Sequence, residues 1–187
     1  MTVSSCSTSP DGTSAATTTA TVRIVNQNLL HGTACPPDTN RCDLPHRVAL
    51  FLRQLERTKC PEIVAIEEGN RQTVTELRKG LGACDYRLVY DDDPGQDREI
   101  VLTTLRVLDS LRIRLAGPLR TAYRVRLGSD AGRVDVIATH LASGSDDRPC
   151  DSNTCSPPCT TADSVNTCQA RNIVAEFLRE DSRRRAP

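Results

Sequence analysis

Large aromatic side chains are scarce in this chain, which has no tryptophan, two phenylalanines and three tyrosines among 187 residues. Its core must therefore be mainly aliphatic. No run of 18 or more apolar residues occurs, so the sequence predicts no membrane-spanning helix. The 24 basic and 24 acidic residues cancel, which excludes the strong positive field of many proteins that bind nucleic acid or membranes. The length is that of one domain with a real core.

Nine cysteines stand out in this composition. So many in a chain of this size indicate an oxidising compartment, and we expect a secreted or cell-envelope protein. Cys150, Cys155, Cys159 and Cys168 lie in a Ser/Pro/Thr/Asp-rich loop with few apolar residues to hold it, so disulfides would constrain it. The alternative is a zinc site, although the spacing C-x4-C-x3-C-x8-C fits no common zinc pattern.

The first part of the chain is rich in Ser, Thr, Ala and Gly. This composition predicts a disordered leader or tether over residues 1–20 and a folded domain over 21–187. Nine is an odd number, so at least one cysteine has no disulfide partner within the chain, and Cys6 is the candidate. Its context resembles that of the lipid-bearing cysteine of a bacterial lipoprotein. A lipid anchor there requires an apolar signal segment upstream of the sequence. Cys35 and Cys42 flank a turn and are placed to close a short loop.

Apolar periodicity predicts an alternation of helices and strands. One helix covers Leu44–Thr58, a second follows a cap at Asn70, and the last covers residues 168–179. Predicted strands begin at Val22 and Glu62 and cover Tyr86–Tyr90, Glu99–Leu105, Leu119–Leu127 and Val134–Thr139, the last two forming a hairpin. Arginines share one face of Leu119–Leu127, which is either a solvated face or a face that follows a phosphate backbone.

Three of these strands end in polar side chains. The first ends at Asn28, the second runs into Glu67 and Glu68, and a later one ends at His140. A buried strand that delivers a polar group to its C-terminal end is a common way to build the floor of an active site. Each residue also has a simpler interpretation: Asn28 can cap a turn, Glu68 can cap the next helix, and His140 can be a hydrogen-bonded core histidine.

In this order and spacing, the three stretches resemble the endonuclease/exonuclease/phosphatase family, the fold of pancreatic deoxyribonuclease, abasic-site endonucleases and neutral sphingomyelinases. The matching pieces are Val25–Gly32, Ile63–Glu68 and Ala138–Leu141, and the resemblance covers roughly residues 21 to 180. It implies an α+β fold, the four-layer α/β-sandwich of the deoxyribonuclease-I-like type, present as its N-terminal part only.

The resemblance also implies hydrolysis of a phosphoester with Mg²⁺ or Mn²⁺ as cofactor. Glu68 matches the family's metal glutamate, and Asn28 matches an asparagine that orients the phosphate or a metal-bound water. His140 matches a histidine that acts on the phosphate as donor or acid. Glu99 matches a catalytic-site glutamate of some members, or it is a solvent-facing strand residue. The implied substrate is a nucleic acid, a phospholipid or an inositol phosphate, and we expect a monomer.

The sequence departs from the family in two respects. The residue before the metal glutamate is commonly Gln but is Glu67 here. After the last helix there is no Gly-Asp-x-Asn motif and no closing Asp-His pair, so half of the catalytic set is missing. We therefore expect a C-terminally truncated member that is weak or inactive as this chain. The alternative from another class is a non-catalytic, disulfide-stapled extracellular binding module.

Overall fold

Within the residues it describes, the structure (a computed structural model) has three α-helices and nine strands. The described residues are 2–3, 20–29, 43–90, 98–117, 120–130, 132–142, 144, 147–151, 153–155 and 157–185. The strands are β1 (Thr2–Val3), β2 (Ala20–Thr21), β3 (Ile24–Asn28), β4 (Ile63–Gly69), β5 (Arg87–Tyr90), β6 (Arg98–Thr103), β7 (Arg106–Arg114), β8 (Thr121–Ser129) and β9 (Gly132–Thr139). The helices are α1 (Leu44–Arg57), α2 (Arg71–Arg78) and α3 (Val165–Arg185).

Seven of the strands form two sheets. In the first sheet the order is β3-β4-β6-β5, with β3 parallel to β4 and the other neighbours antiparallel. In the second sheet β7, β8 and β9 are antiparallel neighbours in chain order. The short strands β1 and β2 pair with each other. The rest of the predicted leader, residues 4–19, lies outside the described residues.

The two sheets pack face to face, and helices cover both outer faces. On β4, Val64 and Ile66 pack with the residues of α1 and α2, whereas Ile63 and Ala65 face the second sheet. On the far side of the second sheet, Ile173 of α3 packs on an apolar cluster of β7 and β8. The fold is therefore the predicted α+β class, with four layers in the order helix, sheet, sheet, helix.

Side-chain caps explain where α1 and α2 begin. Asp43 accepts a hydrogen bond from the backbone N–H of His46 at 3.0 Å. Asn70 accepts one from the backbone N–H of Thr73 at 2.9 Å, and the Thr73 hydroxyl accepts one from the Asn70 backbone N–H at 3.1 Å. These caps confirm the predicted helix at Leu44–Thr58, to within a residue, and the predicted cap at Asn70.

One strand and one helix correct the sequence prediction. Strand β7 is not among the predicted strands, because a bulge between Val107 and Asp109 breaks its alternation of apolar and polar residues. Helix α3 is longer than the predicted 168–179. The prediction followed apolar residues alone, whereas the Arg-rich continuation to Arg185 also favours helix.

The arginine face of β8 is also different from either prediction. Arg124 is only 1% exposed and donates to the carboxylate of Asp109 at 2.8 Å. Arg126 donates to both carboxylate oxygens of Asp135 at 2.7 Å. Both arginines therefore form ion pairs with acidic residues of the neighbouring strands β7 and β9, within the second sheet.

Three disulfides lie in the described residues: Cys60–Cys84, Cys150–Cys155 and Cys159–Cys168. The last two confirm the predicted disulfides of the Ser/Pro-rich loop, and they occupy the four cysteines of the alternative zinc site. Cys60–Cys84 was not predicted. The lipid-anchor candidate Cys6 and the predicted pair Cys35 and Cys42 lie outside the described residues. No helix in the described ranges is long and apolar enough to cross a membrane.

The Arg23–Glu62 pair generates a pH-dependent prediction. Arg23 donates to the Glu62 carboxylate from both its side chain and its backbone N–H, at 2.7 to 3.2 Å, and these hydrogen bonds lower the pKa of Glu62 below its usual value of 4.5. A carboxylate with a lowered pKa stabilises the fold above its unfolded-state pKa and loses that contribution as the pH falls through the folded pKa.

We therefore expect Glu62→Gln to be modestly less stable than the wild type at pH 7, and to approach it below about pH 4. Urea unfolding of both proteins from pH 7 to pH 3 measures the difference. A difference that stays constant over this range contradicts the assignment.

The Cys60–Cys84 disulfide generates a stability prediction. It links residues 24 apart and joins the end of α1 to the segment after α2, whereas Cys150–Cys155 links residues only 5 apart. Loop-closure entropy then gives a loss of about 3 kcal/mol for the double variant Cys60→Ser/Cys84→Ser and about 2 kcal/mol for Cys150→Ser/Cys155→Ser. Chemical denaturation under non-reducing conditions measures both. An unchanged stability of the first variant is the contradicting result.

Candidate functional site

The polar strand ends meet at one end of the space between the two sheets. Asn28 is the last residue of β3 and Glu68 is the second-to-last residue of β4, both in the first sheet. His140 directly follows β9 of the second sheet. The Asn28 amide donates to Glu68 Oε1 at 2.7 Å. His140 Nδ1 lies 3.3 Å from the same oxygen. The structure thus brings together three residues that are 40 and 72 positions apart in sequence.

A β-bulge directs Glu68 into this site. Ile66 of β4 is opposite Ile100 of β6, and Gly69 is opposite Arg98, so Glu67 and Glu68 share one position opposite Glu99. Glu68 has a backbone φ of +54°, a left-handed conformation that a residue with a side chain rarely adopts. Because backbone strain of this kind persists only where surrounding contacts hold it, it marks a specialised position.

Two neighbours fix the bulge. Gly69 needs to be glycine, since a Cβ there would overlap the Ile100 side chain. Glu67 accepts a hydrogen bond from the Asn26 amide at 2.8 Å, so its carboxylate is held against β3 beside the Asn28–Glu68 pair. Both carboxylates of the bulge therefore turn toward the space between the sheets.

Glu99 lies behind His140. Glu99 is only 2% exposed. It lies two residues before Val101 on β6, so its side chain is on the same face of the strand, toward the second sheet. Its Oε1 accepts a hydrogen bond from the His140 backbone N–H at 3.0 Å. The structure therefore excludes the solvent-facing alternative and places Glu99 where it holds the His140 backbone.

Arg120 is a site residue that the sequence reasoning did not single out. Its guanidinium Nη1 lies 3.0 Å from His140 Nδ1. The predicted hairpin was a partial signal, and its observed register pairs Thr139 with Ala122, which brings the residue before β8 near the residue after β9. Arginine has only donors, so this contact is a hydrogen bond when His140 Nδ1 is unprotonated and the imidazole proton is on Nε2.

Glu68 and Asn28 fit a divalent cation with oxygen ligands. Together they offer one carboxylate and one amide oxygen, and Mg²⁺ typically uses only one or two carboxylates and keeps several waters. Among the described residues, the only close set of three or more potential metal ligands is Cys150, Cys155 and Cys168. All three cysteines are in disulfides, so the carboxylate end of the sheets is the better candidate.

Comparison with known proteins gives structural matches only. No family model and no curated protein matches the sequence. The chain is similar to truncated TDP2 from Caenorhabditis elegans (18% identity, 66% of this chain and 47% of that one, TM-score 0.55). It is also similar to D. rerio TDP2 complexed with a single-strand DNA product (18% identity, 67% of this chain and 48% of that one, TM-score 0.54). A third match is an endonuclease/exonuclease/phosphatase from Bacteroides vulgatus (15% identity, 64% of this chain and 52% of that one, TM-score 0.54).

The chain spans about half the length of these similar structures. At this level of identity the likeness establishes the fold, and the chemistry has to be argued from the site. The predicted α+β fold class is confirmed over about two thirds of the chain: this protein has the deoxyribonuclease-I-like fold of these similar structures.

Proposed function

We propose that this protein is a metal-dependent phosphoester hydrolase. The observation that carries the proposal is the convergence of Asn28, Glu68, His140 and Arg120 through contacts of 2.7 to 3.3 Å. Phosphoester hydrolysis needs compensation of the phosphate charge, a polarising group and a proton donor or acceptor near the phosphorus. This cluster offers all three at one end of a rigid double sheet.

The carboxylate of Glu68, with the Asn28 amide beside it, would hold Mg²⁺ or Mn²⁺. When bound there, the ion supplies a Lewis acid that polarises a phosphoryl oxygen. Asn28 has both an amide donor and a carbonyl acceptor. Its amide donor holds the Glu68 carboxylate in place at 2.7 Å.

Arg120 and His140 supply the other side of the site. The Arg120 guanidinium is a permanent positive charge with several donors, suited to the oxygens of a phosphate. While His140 Nδ1 accepts from Arg120, its Nε2–H is a donor toward the phosphate or the leaving group. In the other tautomer, Nδ1–H donates a hydrogen bond to Glu68 Oε1, which lies 3.3 Å away. Nδ1 therefore has a hydrogen-bond partner in either tautomer: Arg120 when it accepts and Glu68 when it donates.

The first substrate class to test is a nucleic-acid phosphodiester, because the similar D. rerio TDP2 structure contains a single-strand DNA product. Phospholipid and inositol phosphate are the other classes. The disulfides of this chain fit an extracytoplasmic site of action.

Metal binding at Glu68 predicts a specific gain in thermal stability. Mg²⁺ at ten times its Kd stabilises the folded state by about 1.4 kcal/mol, which raises the Tm of a domain of this size by roughly 3–6 °C. Glu68→Gln keeps the side-chain volume but removes the charge, so the Mg²⁺-dependent rise should disappear.

The matched control is Glu67→Gln, which removes the neighbouring charge and restores the residue commonly found there in the family. It should keep most of the rise in Tm. Equal responses of wild type and Glu68→Gln to Mg²⁺ would favour the non-catalytic binding module.

Loss of either second-sheet residue predicts lower turnover. We expect His140→Gln to reduce kcat by about 10²- to 10⁴-fold and Arg120→Ala by about 10²- to 10³-fold. The measurement is Mg²⁺-dependent cleavage of a single-stranded oligonucleotide, with EDTA as the blank. Arg133→Ala, an exposed arginine at the start of β9, is the control and should retain the wild-type rate. EDTA-resistant activity, or full activity of both site variants, rules out the proposed mechanism.

A further inference from the structure

The N-terminal half of α3 is bonded to the two chain segments that carry Arg120 and His140. Gln169 of α3 is fully buried, with 0% of its surface exposed. Its Oε1 accepts a hydrogen bond from the Ala142 backbone N–H at 2.7 Å, and its Nε2 donates to the Ala116 backbone carbonyl at 2.7 Å. One side chain therefore joins the segment leaving His140 to the segment approaching Arg120.

Each of these backbone segments is short. Ala142 is two residues after His140, and Ala116 is four residues before Arg120. The Leu115 backbone N–H also donates to the Arg120 carbonyl at 3.2 Å, which closes the loop between them. A displacement of Ala116 or Ala142 is therefore passed directly to the Arg120–His140 pair.

Two other amides of α3 reinforce the same attachment. Asn166 donates to the Ala142 carbonyl at 2.8 Å, and Asn172 accepts from the Ala116 N–H at 3.1 Å. Ala116 and Ala142 thus have both backbone polar groups bonded to side chains from successive turns of one helix. A buried glutamine that only satisfied its own polar groups would not need two additional amides at the same two residues.

The start of α3 is itself held in place. The Cys159–Cys168 disulfide fixes the residue before Gln169, and the Gly117 N–H donates to the Thr154 carbonyl at 2.9 Å in the neighbouring disulfide loop. Gly117 has a φ of +83°, and a Cβ there would press against Val165. This glycine allows the backbone at Gly117 to lie directly on the first turn of α3.

We infer that Gln169 is a positioning residue that sets the separation of the Arg120 guanidinium from the His140 imidazole. The inference rests on the proposed hydrolase function for its catalytic consequence, but its structural part stands without it. Gln169 touches no reacting atom. It acts by joining the segment that follows β7 to the segment that follows β9, and Asn166 and Asn172 of the same helix reinforce this attachment.

The test compares Gln169→Met, which keeps the side-chain length and removes both hydrogen bonds, with Tyr86→Phe. Tyr86 is a buried residue remote from this site whose hydroxyl donates to the Pro61 carbonyl at 2.8 Å, so the control also loses a buried hydrogen bond. The readouts are the imidazole ¹H–¹⁵N NMR signals of His140 at a fixed pH, and kcat and KM for the Mg²⁺-dependent reaction. The chain has three histidines, and His140→Gln identifies the signal.

We expect Gln169→Met to shift the His140 signals and to lower kcat about 10- to 100-fold, as misplacement of a catalytic pair does, with little change in KM. Tyr86→Phe should leave both unchanged. Unshifted His140 signals in a folded Gln169→Met protein overturn the inference.

If Gln169→Met does not fold, Asn172→Ala removes the hydrogen bond to Ala116, together with a long contact to the Cys159 sulfur at 4.0 Å, and leaves Gln169 in place. It should give a smaller shift of the same His140 signals. An absent shift in that variant also overturns the inference. If the wild type shows no turnover, the hydrolase proposal fails, while the His140 signals still test the positioning by Gln169.

Discussion

The β-bulge at the end of β4 is the constraint on which the candidate site depends. In a regular strand the alternation from Ile66 would turn Glu67 toward the second sheet and Glu68 toward the helices. The extra residue and the left-handed backbone of Glu68 turn its carboxylate toward Asn28 and His140 instead. A non-glycine residue in this conformation costs on the order of 1 kcal/mol or more. The close fit of Gly69 on β6 and the Asn26–Glu67 hydrogen bond hold it there.

The site also depends on the packing between the sheets. Asn28, Glu68 and Glu99 belong to the first sheet, whereas Arg120 and His140 belong to the second. The apolar layer between the sheets brings the two groups together, and it is almost entirely aliphatic, as the scarcity of aromatic residues predicted. The Glu99–His140 hydrogen bond then ties the sheets at their polar end, and α3 holds the second sheet from outside.

The sequence predicted those features that follow from local pattern. Asn28, Glu68 and His140 were found because each ends an apolar strand, and the Asn70 cap of α2 was found because capping has a short-range signature. Their roles in catalysis stay predictions. What the sequence missed arises from long-range pairing. Arg120 becomes a site residue only through the register of the β8–β9 hairpin, and Cys60 meets Cys84 only after α1 and α2 pack together.

Bulges limited the prediction in two opposite ways. The bulge in β7 hid a nine-residue strand, since it broke the period of two on which the strand prediction relied. The bulge in β4 left the strand recognisable but reversed the side to which Glu68 points. The carboxylate pairing of Arg124 and Arg126 was equally hidden, because it requires knowing which strands are neighbours.

The central claim is that a divalent cation binds at Glu68 directly beside His140. The most direct measurement is paramagnetic broadening by Mn²⁺ of the histidine imidazole NMR signals. We expect low Mn²⁺ concentrations to broaden His140 selectively, to spare His46 at the start of α1, and to lose this selectivity in Glu68→Gln. Equal broadening of the His140 and His46 signals, or selective broadening of His140 that persists in Glu68→Gln, would contradict the account.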